Sequence, residues 1–345
     1  MKVYWEADGK RRGVPGRVQH IGFNFEYGGK QRCIPVLYRF PEGIVFDLLT
    51  ILDETELRAF HEKYKGVEET LSPVQRRAVE DEHPFQSVPI NAIMFNGKQP
   101  LGGWSSTCSY HIPWMEDHAK LTKEAGAYVS QLNGASCFAC ERYTFPLYSD
   151  RISILGRLWR WLFPEQINSI EIETGKTARF LPVELSFTLP RDFTEVYTET
   201  FRHPQTQTLY TMYFQSVNHE EVKIPDDMGT RALYIAQISY EIDPALPEGD
   251  SLQFCNSIQW EPVEADGVTA QSASSIGIIG GSDGPTSILV GPNSPEMPRG
   301  IHGLPLHSCF AKPLAKAEPT VSVILEGINA KWLDAETFLW GSKVF

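Results

Sequence analysis

The chain has 345 residues, 42% hydrophobic and 12% aromatic, which supply a substantial core. Because this length exceeds the size at which single cores usually stop growing, we expect two domains. A net charge of −12, from 43 acidic and 31 basic residues, opposes binding to phosphate backbones and disfavours a nucleic-acid partner.

The first residues give no sign of a secretory signal, because the sequence turns polar at Glu6-Ala7-Asp8 before an apolar region can form. A membrane-spanning helix needs roughly 20 consecutive, mostly apolar residues, and the sequence contains no such run. We therefore expect a soluble, cytoplasmic protein with no membrane span.

A β-hairpin is predicted near the start of the chain. Apolar residues alternate with polar or small ones over Ile21–Tyr27 and again over Ile34–Phe40, and Gly28-Gly29 interrupts the two runs. This alternation is typical of paired strands joined by a tight turn.

Two short helices are predicted after the hairpin. The segment Asp53–Gly66 begins with a capping Asp, carries apolar residues at helical spacing and stops at glycine. The second helix follows Ser72, with Pro73 at its first position and Gln75 completing a capping box.

Two longer segments also have helical periodicity. Trp114–Leu132 is followed by the stop signal Asn133-Gly134, and Asp150–Phe163 is ended by Pro164. In the latter segment the apolar face comprises Ile152, Leu155, Leu158, Trp159 and Leu162, and the arginines Arg151, Arg157 and Arg160 lie elsewhere. We expect this face to cover a sheet of the protein, and a helix on a membrane surface is the alternative.

The chain becomes β-rich after Pro164. Short alternating segments with frequent turn signals over Ile167–Trp260 predict an antiparallel sheet or sandwich. Thr320–Leu325 reads as a final strand, and Lys331–Trp340 fits either a helix or a strand. The predicted fold class is α+β, mainly antiparallel β-sheet or sandwich with a few packed helices. The expected domains are an α+β domain of residues 1–164 and a β-rich domain of residues 165–345.

Residues 263–305 are rich in Ser, Gly and Pro and include Ser274–Gly291, which reads SSIGIIGGSDGPTSILVG. This segment resembles a stretch of the membrane β subunit of sodium-translocating carboxylic-acid decarboxylases, and the resemblance covers about eighteen of the 345 residues. In that family the acidic residue of the motif belongs to the cation pathway. The resemblance therefore implies that Asp283 binds a cation.

The same glycines do not form a known phosphate-binding motif. No Lys-Ser/Thr follows them as in a P-loop, and their spacing differs from the dinucleotide fingerprint. Two short strands joined by a turn at Asp283-Gly284, or a mobile loop, are the structural interpretations that stay open.

Two short motifs suggest a metal site. Cys137 and Cys140 form a C-x₂-C pair, and Cys108 and His111 form a C-x₂-H pair. Together they supply the Cys₃His set that suits a structural zinc ion. The competing interpretation is a coincidental set of structural residues, since free cysteines are commonly buried. We expect no other cofactor and, at this cysteine density, no disulfide scaffold.

No catalytic residue is predicted. The sequence has no G-x-S-x-G elbow, H-E-x-x-H motif or calcium loop. We therefore expect a non-enzymatic protein that binds a protein partner, for example as an inhibitor or immunity-type protein. The alternative, implied by the resemblance, is a protein related to decarboxylation or sodium transport.

Overall fold

The structure is a computed structural model, which describes residues 3–5, 15–67, 70–115, 128, 132, 134–148, 154–163, 165–226, 229–255, 298–311, 314 and 318–341. Within these residues the chain forms 15 strands and three helices.

In the first half of the chain, the described residues form six strands and two helices: β1 (Arg17–Tyr27), β2 (Lys30–Arg39), β3 (Gly43–Leu52), α1 (Glu54–Tyr64), α2 (Pro73–Glu82), β4 (Ile90–Phe95), β5 (Ser105–His111) and β6 (Cys137–Pro146). The second half contains α3 (Ile154–Leu162), β7 (Ser169–Thr174), β8 (Thr177–Pro190), β9 (Tyr197–Arg202), β10 (Leu209–Asp226), β11 (Gly229–Asp243), β12 (Ser251–Phe254), β13 (His307–Phe310), β14 (Thr320–Leu333) and β15 (Thr337–Gly341). Strands dominate and are mostly antiparallel, so the β-rich part of the predicted fold class is confirmed, but the described helices are few.

The chain divides into two compact units. The first unit comprises Met1–Thr70, Val79–Thr177 and Leu333–Phe345, and the second comprises Leu71–Ala78 and Ala178–Trp332. This division differs from the predicted one at Pro164. The reason is strand pairing: β7, which follows Pro164, pairs with β4 and with β15 from the end of the chain, and all three belong to the first unit.

The first unit contains a five-stranded sheet in the order β1-β2-β3-β6-β5 and a three-stranded sheet in the order β15-β7-β4. Aromatic side chains from both sheets share one core. The ring centroid of Phe46 in β3 lies 5.4 Å from that of Phe145 in β6, and the Phe145 ring lies 5.6 Å from that of Phe95 in β4. The two sheets therefore share one hydrophobic core.

Strand β3 lies in the middle of the five-stranded sheet and is buried on both faces. Phe46 and Leu48 belong to the core shared with the three-stranded sheet. Val45 and Leu49 point to the other face, where they pack with Tyr128 in a second cluster. A strand covered on both faces loses the alternation of apolar and polar residues, which explains why sequence periodicity did not predict it.

The predicted hairpin is confirmed. Strands β1 and β2 pair as far as Tyr27 and Lys30, and Gly28 and Gly29 form the two-residue turn between them with φ of 60° and 73°. Both turn residues have positive φ, which glycine adopts without steric cost.

The first two predicted helices are also confirmed. Asp53 caps α1 by accepting hydrogen bonds from the backbone N–H groups of Thr55 and Glu56 at 2.7 and 3.0 Å. At α2, Ser72 Oγ accepts from Gln75 N at 3.1 Å, and Gln75 Oε1 accepts from Ser72 N at 3.0 Å. This reciprocal pair is the capping box that the sequence predicted.

The second unit contains a four-stranded sheet in the order β13-β11-β10-β9 and a three-stranded sheet in the order β12-β14-β8. Its core combines Phe214 and Ile238 from the first of these sheets with Leu189 and Val323 from the other. The predicted final strand is part of β14, which is longer than expected and is followed by β15, so Lys331–Trp340 contains strand rather than helix.

Two further predictions concern a long helix and a membrane-spanning helix. Most of the predicted helix Trp114–Leu132 lies outside the described residues. Of the helices that the structure does describe, none is long and apolar enough to cross a bilayer.

Candidate functional site

Helix α3 lies between β6 and β7 in the first unit. Its apolar residues Leu155, Leu158, Trp159 and Leu162 follow the i, i+3, i+4, i+7 spacing that places side chains on one face of a helix. The Phe163 N–H donates to the carbonyl oxygen of Trp159 at 2.8 Å and thereby adds a fifth apolar residue to the last turn.

The apolar face of α3 points outward. Between 42% and 77% of the surface is exposed at each of Leu155, Leu158, Trp159, Leu162 and Phe163. In contrast, Arg160 is half-buried, and its guanidinium carbon lies 4.1 Å from the centroid of the Tyr148 ring. The expectation that this face covers a sheet of the protein is therefore wrong, because its side chains are exposed and α3 contacts Tyr148 through Arg160.

A cleft of about 320 Å³ lies beside this outward face. Trp159 and Phe163 belong both to the apolar face and to the cleft lining. The other lining residues are Arg39, Phe40, Gly43, Ile44, Leu147, Tyr148, Arg160, Glu165 and Ile167. A molecule that covers the apolar face of α3 therefore reaches the cleft as well.

The acidic residue in the cleft lining, Glu165, has polar partners within the first unit. Its carboxylate accepts hydrogen bonds from Lys98 Nζ at 3.1 Å, Asn96 Nδ2 at 3.3 Å and Tyr148 Oη at 3.1 Å. Burial alone raises the pKa of Glu165, but these donors outweigh it and hold the pKa below its ordinary value. Glu165 is thus an ionised group whose charge is offset by Lys98.

Arg39, in the cleft lining, lies close to Arg17. Burial lowers the pKa of Arg39, and the nearby positive charge of Arg17 lowers it further. The Arg17 guanidinium carbon itself lies 5.2 Å from the centroid of the Trp161 ring in α3. The surroundings of α3 are therefore locally positive, although the whole chain carries a net charge of −12.

A loop after β4 adds exposed apolar surface at the end of β6. Leu101 is 65% exposed, and its N–H donates to the carbonyl oxygen of Pro146 at 2.8 Å. Trp104 is partly exposed and lies 5.6 Å from the Phe145 ring, centroid to centroid. Since Leu147 and Tyr148 directly follow these β6 residues and line the cleft, this loop borders the same region.

The predicted zinc ligands lie on two neighbouring strands, but the structure does not bring them together. In the β5–β6 register Cys108 is opposite Glu141, and His111 is opposite Phe138. Residues three apart on a strand point to opposite faces, which separates Cys108 from His111 and Cys137 from Cys140. Cys137 accordingly packs with one buried cluster and Cys140 with another.

Cys137 is fully buried within its cluster. Burial raises the pKa of the Cys137 thiol and so favours the protonated form. Across the part of the chain that the structure describes, no group of three or more His, Cys, Asp or Glu side chains is placed to hold a metal ion.

The segment Ser274–Gly291, including Asp283, lies outside the described residues. The cation-binding role that the resemblance implies for Asp283 therefore stays a prediction.

Sequence reasoning identified the apolar face of α3 and Arg160, but not Arg39, Tyr148 or Glu165. These three residues carry no motif, and their positions in the sequence are far apart or unpatterned. The one signal in the sequence was the mixture of tryptophan and arginine in α3, which is frequent at binding surfaces.

The chain matches no protein-family model, no curated protein and no solved structure.

Proposed function

We propose that this chain is a soluble, non-enzymatic protein that binds a protein partner, as inhibitor or immunity-type proteins do, on a frame of two β-sandwich units. The observation that carries the proposal is the orientation of α3, whose apolar residues point outward while Arg160 packs inward. The outward face of α3, comprising Leu155, Leu158, Trp159, Leu162 and Phe163, is the proposed docking face.

The energetic argument rests on the hydrophobic effect. Covering a Leu, Phe or Trp side chain that is otherwise in water contributes roughly 1.5–3 kcal/mol. Folding of the first unit leaves five such side chains 42–77% exposed, on α3 and at the residue that follows it. A cluster of this kind is typical of surfaces that a partner covers.

The residue types around the docking face favour a protein partner. Trp, Tyr and Arg are enriched at the energetically important centres of protein interfaces, and Trp159, Tyr148 and Arg160 meet beside the cleft. A concave cleft next to a convex apolar helix suits a partner with side chains of fixed shape. A fluid lipid surface gains little from such a cleft.

Photo-crosslinking in the cells that produce the protein tests this proposal. A photoreactive amino acid is placed at Leu158, which is 50% exposed on the docking face, and in a matched control at Leu209, which is 48% exposed at the start of β10. We expect one dominant protein adduct from position 158 that is absent from position 209. Adding Trp159→Glu should abolish this adduct, because the charge disrupts apolar docking.

Adducts that are the same from both positions, or no adduct from position 158, would show that the face of α3 is not a protein-docking surface. Mass spectrometry of the adduct identifies the partner and separates a second copy of this chain from a different protein.

A further inference from the structure

The cleft beside α3 differs in charge from the protein as a whole. Arg39 and Arg160 line it, and Arg17 lies close to Arg39. The negative charge in the lining, on Glu165, is offset by Lys98 at 3.1 Å. The cleft therefore has an excess of positive charge in a chain whose net charge is −12.

Arg160 is positioned to bind an anion. Its guanidinium lies over the Tyr148 ring at 4.1 Å, and such stacking leaves the N–H groups in the guanidinium plane able to donate hydrogen bonds. Arg160 also lines the cleft, so its positive charge attracts an anion that enters there.

Carboxylate is an anion that fits this site, because a guanidinium donates to it through two parallel N–H groups. The apolar part of the cleft, formed by Phe40, Leu147 and Phe163, suits the carbon chain that carries such a group. The docking face of α3 continues directly from this apolar part through Trp159.

We infer that the partner presents an acidic, amphipathic segment, whose apolar side chains cover the outward face of α3 and whose carboxylate enters the cleft between Arg39 and Arg160. This inference rests on the proposed function, because it names the chemistry of the partner at the same docking face.

Two other occupants fit the face and the cleft less well. A second copy of this chain would bring the same arginines towards one another across the symmetry axis, and like charges at an interface are unfavourable. An anionic membrane attracts the local arginines, but its fluid surface gains little from the cleft beside them.

A peptide selection tests the inference. A displayed library of random peptides is selected against the full-length protein and, in parallel, against its Leu158→Glu variant, which removes the apolar docking face. We expect peptides specific to the unsubstituted protein to combine Leu, Phe or Trp at helical spacing with at least one Asp or Glu.

The best selected peptide is then measured against the double variant Arg39→Gln/Arg160→Gln and the charge-conserving control Arg39→Lys/Arg160→Lys. The Gln variant should weaken binding by roughly tenfold or more, since each lost charged contact at an interface has an effect of this order. The Lys variant should bind more tightly than the Gln variant. Rising salt should weaken binding to the unsubstituted protein more than binding to the Gln variant.

In a contrary outcome, the selection returns peptides without acidic residues that bind the unsubstituted protein and the Gln variant equally but do not bind Leu158→Glu. That result would overturn the carboxylate inference and leave the proposed function intact. The salt dependence of the unsubstituted protein decides the matter if the Gln variant fails to fold. A third outcome combines two observations: no peptide is enriched, and the protein binds mixed phosphatidylcholine–phosphatidylserine vesicles in a way that Leu158→Glu abolishes. This outcome would overturn both proposals in favour of a membrane surface.

Discussion

At the scale of single residues, the five-stranded sheet of the first unit contains a buried ion pair. Asp47 is fully buried, and its carboxylate accepts two hydrogen bonds from the Arg142 guanidinium, at 2.7 and 2.9 Å. Tyr128 Oη donates to the same carboxylate at 2.5 Å. The hydrogen bonds and charge of Asp47 raise the pKa of Arg142, so the guanidinium stays charged in the folded state.

Replacing Asp47→Asn should destabilise the protein, because the substitution leaves Arg142 without its counter-charge. We expect a loss of roughly 2–4 kcal/mol, near the lower limit for buried pairs since the Arg142 side chain is 29% exposed. Urea unfolding measures the effect as a shift in midpoint at constant slope. The matched control is Glu62→Gln, which breaks the exposed Lys65–Glu62 pair and should leave the midpoint unchanged. Equal shifts of the midpoint for the two variants would mean that the buried pair stabilises the protein no more than the exposed pair does.

A histidine near α2 gives the protein a pH dependence. His83 is partly buried, and its Nδ1 accepts a hydrogen bond from the backbone N–H of Phe85 at 3.0 Å. Burial lowers the pKa of His83 below its ordinary value of 6.5, and the charge of nearby His61 lowers it further. Because the unfolded chain then binds a proton more readily than the folded one, the contribution of His83 is present above pH 6.5 and is lost as the pH falls through its folded pKa.

The variant His83→Asn tests this dependence, since asparagine keeps an acceptor near the position of Nδ1 and does not titrate. We expect the free energy of unfolding of the variant to fall less than that of the unsubstituted protein between about pH 7 and pH 5. Unfolding by urea across this pH range measures both curves. Parallel curves would contradict the role of His83.

At the scale of elements, β14 depends on a glycine where two strands approach closely. A Cβ atom at Gly327 would lie 2.3 Å from the carbonyl oxygen of Leu181 in β8. A contact this short forces the strands apart, so Gly327→Ala should destabilise the second unit by roughly 1–3 kcal/mol. At Gly102, by comparison, nothing lies within 4 Å of the added atom, and Gly102→Ala serves as the control. Thermal unfolding of both variants measures the difference, and an unchanged midpoint for Gly327→Ala would contradict the close approach of β14 to β8.

Replacing a leucine should reduce stability much less in helix α3 than in helix α1. Leu158 is half exposed in α3, whereas Leu57 in α1 is fully buried. We expect Leu158→Ala to change the free energy of unfolding by no more than about 0.5 kcal/mol, as surface substitutions usually do. Leu57→Ala should cost roughly 2–5 kcal/mol through the cavity it leaves. A large loss at position 158, measured by urea unfolding, would show that the apolar face of α3 is covered within the isolated protein.

The elements also show which parts of the fold follow from local sequence. The Gly28-Gly29 turn, the Asp53 cap and the Ser72–Gln75 capping box are confirmed. Each depends on φ angles or hydrogen bonds within a few residues, so the local sequence is sufficient to predict it. Strand β3 was missed, because its burial on both faces comes from elements that are distant in the sequence.

At the scale of the whole molecule, each compact unit has its own buried core. The core of the first unit includes Phe46 and Ile172, and that of the second includes Phe214 and Val323. Separate cores predict separate cooperative transitions on heating.

Calorimetry of the two variants tests this prediction. Asp47→Asn should lower the temperature of one transition, and Gly327→Ala should lower that of the other, because the two residues belong to different units. A single transition that both variants shift equally would show that the units unfold together.

The candidate site illustrates the limit of sequence reasoning at this scale. The helical spacing of Leu155, Leu158 and Trp159 was readable, as was the arginine pattern. The sequence did not show whether this apolar face points into the protein or into solvent. An amphipathic pattern fixes which residues share a face, but not what lies opposite that face. Arg160 contacts Tyr148, and this contact joins parts of the chain whose pairing no local pattern specifies.

The amino-acid sequence by itself determined the turns, the caps, the alternation of the strands and the existence of α3, because steric and hydrogen-bond preferences act between near neighbours. The tertiary structure decided that β15 returns to the first unit, that the predicted zinc ligands lie on opposite faces of their strands, and that the apolar face of α3 is exposed beside a positive cleft. These outcomes depend on which distant segments pack together, and burial of a side chain is a property of all the elements around it rather than of its own segment.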